Sequence, residues 1–211
     1  MIRILACILF LIPVWGYSQT TWEFQKEEGS FKVYTRTKKG TDIKESKVTG
    51  TVIGEINAMV AVFQDPDNFV NFMPDCNVSK KLKLEGDTLQ VHYVLTEAPW
   101  PVSDRDGVYQ FNYSHDPNSN SVLIIIKAVP DYIEKKEDVV RVHLCDGYWK
   151  LTELPGEYIQ VEYVIYADPG GSIPGWLANT TAVDMPLETA VNAIERSKLA
   201  KYQEKEFEFI K

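Results

Sequence analysis

Cysteine is scarce in this chain: 3 in 211 residues. Cys7, Cys76 and Cys145 form no CxxC pair and no Cys/His cluster, which argues against a zinc site or any other metal centre of that kind. Histidine is equally rare, with only His92, His115 and His143. No HExxH, nucleophile elbow or Ser-His-Asp order surrounds them, so the common hydrolytic motifs are missing. Neither GxGxxG nor a GK[ST] loop is present, which leaves no nucleotide or other cofactor fingerprint. Positive charge is in short supply, with 22 Lys and Arg against 30 Asp and Glu and a formal net charge of −8. That balance excludes the basic face that nucleic acid requires. It also gives no reason to expect adhesion to anionic lipid. Beyond the first eighteen residues there is no further membrane-length apolar run.

Those first residues, "MIRILACILFLIPVWGYS", carry Arg3 and an apolar run from Ile4 through Phe10 and beyond. Gly16 and Ser18 stand at −3 and −1 of a cut before Gln19. This is the layout of a secretory signal peptide. It predicts removal of residues 1–18, one domain over residues 19–211, and an exported protein, periplasmic or secreted, of Gram-negative bacterial type. A retained anchor is the competing reading. Export permits a disulfide between Cys76 and Cys145; two buried free thiols are the alternative.

The rest reads as strands, a short helical stretch, more strands, and a helical tail. "TWEFQKEEGSFKVYTRT" gives two strands around Glu28-Gly29, and "IKESKVTGTVIG" a third. "EINAMVAVFQD" places Ile56, Met59, Val60 and Phe63 at helical spacing. "NFVNFMPD" is a short helical turn closed by Pro74. "DTLQVHYVLTE" alternates with Leu89, Val91, Tyr93 and Leu95 on one face, and "GVYQFNYS" with Tyr109, Phe111 and Tyr113. "SVLIIIKAV", containing Ile124 and Ile126, is apolar on both faces, as a strand covered on both sides would be. "VVRVHLCDGYWKLTEL" alternates Val140, Val142 and Leu144 against Arg141, His143 and Cys145. In the tail, Asp184 can cap a helix with Pro186 in its first turn. Leu187, Val191, Ile194 and Leu199 then predict one long amphipathic helix. This order is an α+β domain: an antiparallel sheet with one helix laid along it.

Two segments concentrate unusual residues. "APWPVSDRDGVYQF" brackets Trp100 with prolines and sets Arg105 between Asp104 and Asp106. Arg105 there either meets a ligand head group or pins the loop through an ion pair. "DPGGSIPGWLAN", Asp168 to Asn179, superficially resembles a phosphate loop but lacks its motif. A turn feeding a helix explains the glycines but not Trp176-Leu177 so close behind. If adjacent strands pair, the Leu89/Val91/Tyr93/Leu95, Tyr109/Phe111/Tyr113 and Ile124/Ile126 faces point one way. They then line either a mostly apolar pocket with a few polar handles or a filled core.

These residues resemble a known family. "GSFKVYTRT", "KESKVTGTV", "APWPVSDRDGVY", "GYWKLTEL" and "YVIYADPGGSIPGWLAN" are similar to segments of the START domain, the steroidogenic-acute-regulatory-related lipid-transfer domain, in its exported bacterial form. The resemblance runs from about Trp22 to Tyr202. The pair PWPxxxRD and DPGGxIPxWLxN is its most specific feature. It implies a helix-grip fold, a curved antiparallel sheet wrapped around a long C-terminal helix with an internal cavity. It implies non-catalytic binding, and transfer, of a lipid or other hydrophobic small molecule, without cofactor. The lining residues would be Leu89, Val91, Tyr93, Leu95, Trp100, Arg105, Tyr109, Phe111, Tyr113, Ile124, Ile126, Trp176, Leu177 and Thr180. Gly170 to Asn179 would open the tunnel and is a candidate for transient membrane contact. Steroidogenic members carry an acidic and a basic side chain inside the cavity; Tyr93 and Phe111 stand near those places here, which counts against a sterol. An enzyme of the related cyclase or hydrolase type, with His92, Arg105 and Asp104 as candidate groups, and a solid-core interaction module remain the other readings.

Overall fold

The computed structural model describes residues 21–171 and 173–211; the signal-peptide reading of residues 1–18 lies outside them. The chain begins with β1 (Glu23–Glu28), β2 (Phe31–Thr37) and β3 (Lys44–Ile53). Helix α1 (Ile56–Phe63) and a 3-10 turn (Pro66–Asn71) follow. Then come β4 (Cys76–Glu85), β5 (Leu89–Thr96), β6 (Arg105–Asp116), β7 (Ser121–Ala128), β8 (Val140–Arg141), β9 (Leu144–Leu154) and β10 (Tyr158–Asp168). The tail holds α2 (Gly175–Ala178), α3 (Asp184–Ser197) and α4 (Ala200–Gln203). The strands form one curved sheet in the order β1-β2-β3-β10-β9-β7-β6-β5-β4, antiparallel throughout, with β8 added in parallel to β6.

Both α1 and α3 sit on the concave face. α1 is apolar nearly all round, which suits a helix enclosed on every side. α3 turns Leu187, Ala190, Ala193 and Ile194 inward. Ala190 and Ala193 are fully buried, and their small side chains let α3 lie close against α1. Opposite them the sheet contributes Val33, Val48, Ile124, Trp149, Leu151, Val161 and Tyr163. Trp149 stacks on Tyr163 with ring centroids 3.9 Å apart, while Phe63 of α1 packs on the same indole at 4.7 Å. Such pairs add packing energy beyond the area they bury.

The tail differs from one unbroken helix. α3 stops at Ser197, Leu199 is extended, and α4 resumes for a single turn. Leu199 is therefore exposed rather than aligned with Leu187, Val191 and Ile194. Asp184 caps nothing; its carboxylate pairs instead with Lys26 at 3.1 Å. The break lets α4 reach the 3-10 turn, where Asp65 accepts hydrogen bonds from Lys201 and from the Tyr202 hydroxyl, both at 2.8 Å.

The expected alternation around Val140 also changes. The run breaks between β8 and β9, leaving Val142 buried but Leu144 exposed. Arg141 and Cys145, expected on the other face, are both buried. Cys145 and Cys76 are buried free thiols, with no disulfide between them. Burial pushes the Cys145 thiol up to about 12 and that of Cys76 to about 11, so neither is a ready nucleophile.

Candidate functional site

Strand register decides which side chains share the concave face, because directly opposed residues point the same way. Tyr109 pairs with Ala128, Phe111 with Ile126 and Tyr113 with Ile124, so these five predicted lining residues do converge. Ile124 in turn faces Trp149 across β9. β5 is different. Its partners across β6 are Gln90 for Phe111, His92 for Tyr109 and Val94 for Gly107. Leu89, Val91, Tyr93 and Leu95 therefore lie on the convex face, against Val108, Val129 and Ile133. The expectation that they join Tyr109 and Phe111 is corrected. The apolar residues of β5 face outward because the 129–141 segment covers them there.

The concave wall thus carries polar atoms that the sequence pattern hid. Gln90 Nε2 and the Tyr113 hydroxyl both donate to the Phe63 carbonyl at the end of α1, at 2.5 and 3.1 Å. Gln90 Oε1, His92 Nδ1 and Thr35 Oγ1 are buried with no partner among the described residues. His92 sits among aromatic rings, 4.4 Å from Phe111 and 5.0 Å from Phe69 between centroids. Burial pushes its imidazole down to about 3, which keeps it neutral. Burial likewise raises the Tyr109 hydroxyl well above its usual range.

The Asp104-Arg105-Asp106 cluster is not one ion pair. Asp104 accepts the Ala98 amide at 3.0 Å. Asp106 is held by Arg141 in a two-pronged contact, Nε to Oδ1 at 2.7 Å and Nη2 to Oδ2 at 2.9 Å, with both residues buried. Arg141 also donates to the carbonyls of Pro130, Ile133 and Glu134, which fastens the 129–141 segment over the convex face. Nothing in the local pattern around Arg141 announced this, since its partner is 35 residues away. Arg105 itself donates to the Ser103 carbonyl, and its Nε has no partner among the described residues. It lies at the rim, its Nη2 3.9 Å from where a Gly171 Cβ would stand.

The same rim carries the segment expected to open the tunnel. Gly170 and Gly171 both adopt left-handed backbone, φ +68° and +69°, as the chain leaves β10. L residues resist that conformation. α2 is pinned at its far end: Asn179 donates to the Asp42 carbonyl and accepts from the Lys44 amide, each at 2.8 Å. Trp176 is 71% exposed and Trp100, on the neighbouring β5–β6 loop, 93% exposed. Leu177 is half-buried and Thr180 exposed, its hydroxyl donating to the Leu177 carbonyl. Replacing Gly170 and Gly171 together by alanine should slow ligand exchange more than it lowers affinity. Stopped-flow release measured beside equilibrium binding checks this; unchanged release would reduce the segment to a plain turn.

A separate groove of about 450 Å³ lies on the convex face, between Trp22, Arg36, Lys47, Ile125, Tyr148 and Val164. Its charged groups already engage one another or the rings: Arg36 pairs with Glu45 at 2.5 Å, Tyr148 donates to Glu162, and Arg36 and Lys47 sit over the Trp22 ring.

No protein-family model matches the chain. Individual proteins do. The chain is similar to the crystal structure of a STAR-related lipid transfer protein from Xanthomonas axonopodis, 35% identical with a TM-score of 0.79, over 84% of this chain and 99% of that one. It is 32% identical over 168 residues to an uncharacterised protein of Pseudomonas aeruginosa, covering 80% of this chain and 82% of the other. It is 28% identical over 167 residues to the phosphatidylcholine transfer protein of Rattus norvegicus, covering 76% of each.

Proposed function

The chain belongs to the STAR-related lipid transfer family, and we propose that it binds a lipid or other hydrophobic small molecule between the sheet and α3, and transfers it, without catalysis. The observation that carries this is the concave face itself: Tyr109, Phe111, Tyr113, Ile124, Ile126 and Trp149 share it, and the chain leaves β10 through Gly170 and Gly171 in left-handed backbone. Apolar lining with a few neutral polar atoms is the chemistry of a hydrophobic ligand site. Tyr109 fits this reading closely. Its hydroxyl is strongly desolvated, yet the residue keeps accessible surface on the inner wall.

Several features favour binding over turnover. His92 is neutral, ringed by aromatic side chains, and has no carboxylate or nucleophile in hydrogen-bond reach among the described residues. A general base needs such a partner and a pKa near the working pH. Asp104 is occupied by a backbone amide and Arg105 lies at the rim. The protein acts, in this proposal, as an exported carrier after loss of residues 1–18.

Trp100 and Trp176 are the rim's contact with a membrane. Exposed tryptophans favour the bilayer interface, and their neutral rings suit a protein too acidic for anionic lipid. Transfer of a fluorescent lipid between zwitterionic vesicles tests the function. The parent should accelerate transfer, and Trp100→Ser with Trp176→Ser should slow it by roughly tenfold, the effect of losing about 1.4 kcal/mol of interfacial anchoring. No acceleration by the parent would remove the proposal; unchanged transfer by the variant would remove the membrane contact alone.

A further inference from the structure

We propose that Tyr109 is a gate: its ring lies across the way in from the rim and closes it by resting on Gly107, a proposal that rests on the lipid-binding reading above. Inward from the rim, the concave face of β6 runs Arg105, Gly107, Tyr109, Phe111, Tyr113. Arg105 and Tyr109 keep accessible surface, while Phe111 and Tyr113 are buried. Tyr109 is therefore the step at which this row passes from the rim to the packed interior. A molecule entering along β6 meets the Tyr109 ring before it meets Phe111.

Gly107 shows which way that ring points. A Cβ built on Gly107 would stand 2.5 Å from Tyr109 Cε2, and nearer still to Cζ and the hydroxyl oxygen. The three atoms closest to that place all belong to Tyr109. The side chain thus leans back along its own strand toward the rim, a direction open to strand residues, and lies on bare glycine backbone. The backbone itself does not ask for glycine. Gly107 is outside the left-handed region, and glycine inside a strand weakens it. What glycine supplies at 107 is the seat for the ring.

The ring is also placed to leave. What occupies the seat is the far end of a side chain rather than backbone. His92 lies 6.2 Å from Tyr109 between centroids but 4.4 Å from Phe111, so Tyr109 is the more loosely packed of the two. Its partner across β7, Ala128, is half-buried and offers a single methyl group, so no bulky side chain holds the ring from there. Strand aromatics have two common staggered positions, and turning from one to the other uncovers Gly107 and the approach to Phe111. A ring laid on glycine can also serve purely as cover for the backbone. Exchange kinetics separate the two roles, because cover alone does not set a rate.

Two soluble probes test this in the full chain, a phosphatidylcholine with one short fluorescently labelled acyl chain and a fluorescently labelled fatty acid, with uptake and release followed by stopped flow. Gly107→Ala puts a methyl group in the seat and should raise both rates on the order of tenfold, the ratio that about 1.4 kcal/mol of lost barrier produces, with the equilibrium affinity little changed. Tyr109→Ala removes the ring and should do the same, which keeps the proposal testable if Gly107→Ala fails to fold. Tyr109→Phe keeps the ring and should behave as the parent. The double variant should be no faster than Tyr109→Ala alone, because both changes remove one obstacle. Parent-like rates in Gly107→Ala and Tyr109→Ala, or faster release with slower uptake and a matching loss of affinity, would reduce Tyr109 to cover or wall and overturn the gate while leaving lipid binding intact. Uptake of neither probe by the parent would instead overturn the lipid-binding reading and this proposal with it.

Discussion

Asp106→Asn should lower the free energy of unfolding by about 3–5 kcal/mol, the usual cost of leaving one member of a buried ion pair without its partner. Arg141 would remain buried, with three backbone carbonyls as its company. The loss is large beside the 5–15 kcal/mol by which domains are ordinarily stable. For a chain of this size it lowers the melting temperature by roughly 10 °C. Calorimetry reads the shift directly. Joint replacement, Asp106→Leu with Arg141→Met, should recover part of it, because an apolar pair avoids the unpaired charge. A single variant as stable as the parent would mean that the 129–141 segment is held by its apolar contacts alone. Those contacts, Val129 and Ile133 on Tyr93 and Val91, are what cover the convex side of β5.

Acid should destabilise the protein through His92. Its imidazole titrates near 6.5 in an unfolded chain and near 3 in the fold. Burial is the cause, and the surrounding groups are the Phe69, Phe111 and Tyr109 rings. Between those two values the unfolded state binds the extra proton. The contribution of the neutral, buried ring is therefore complete above about pH 6.5 and is lost progressively as the pH falls toward about 3. The slope is about 1.4 kcal/mol for each pH unit in that window. Denaturant unfolding of the parent and of His92→Phe, repeated from neutral pH downward, isolates this from the carboxylates common to both. The difference should move steadily in favour of the variant as the pH drops. A difference that stays flat with pH would contradict the buried neutral histidine.

Much of the fold was legible because each element agreed with its local pattern. The period of Ile56, Met59, Val60 and Phe63 gave α1, and the Glu28-Gly29 turn separated β1 from β2 as expected. Tyr109, Phe111, Tyr113, Ile124 and Ile126 were read onto one face, and the register places them there. β5 was inverted for a physical reason. Alternation assigns the apolar set to the core, but here a loop supplies a second apolar cover outside. The polar set, Gln90 and His92, faces inward, where a folding rule would not place it. Local rules break at sites that do something other than fold. The Asp106–Arg141 pair was hidden for another reason: a contact across 35 residues leaves no local period. Leu199 was misplaced because a helical wheel continues past a break that only the packing of α4 reveals.

The central claim is that the protein holds a lipid between the sheet and α3. Native mass spectrometry of the chain purified from its own host, followed by organic extraction, tests it most directly. The account predicts a single bound lipid molecule per chain, released by organic solvent. A protein that carries no adduct, and takes up none after incubation with vesicles of mixed neutral and zwitterionic lipid, would contradict it.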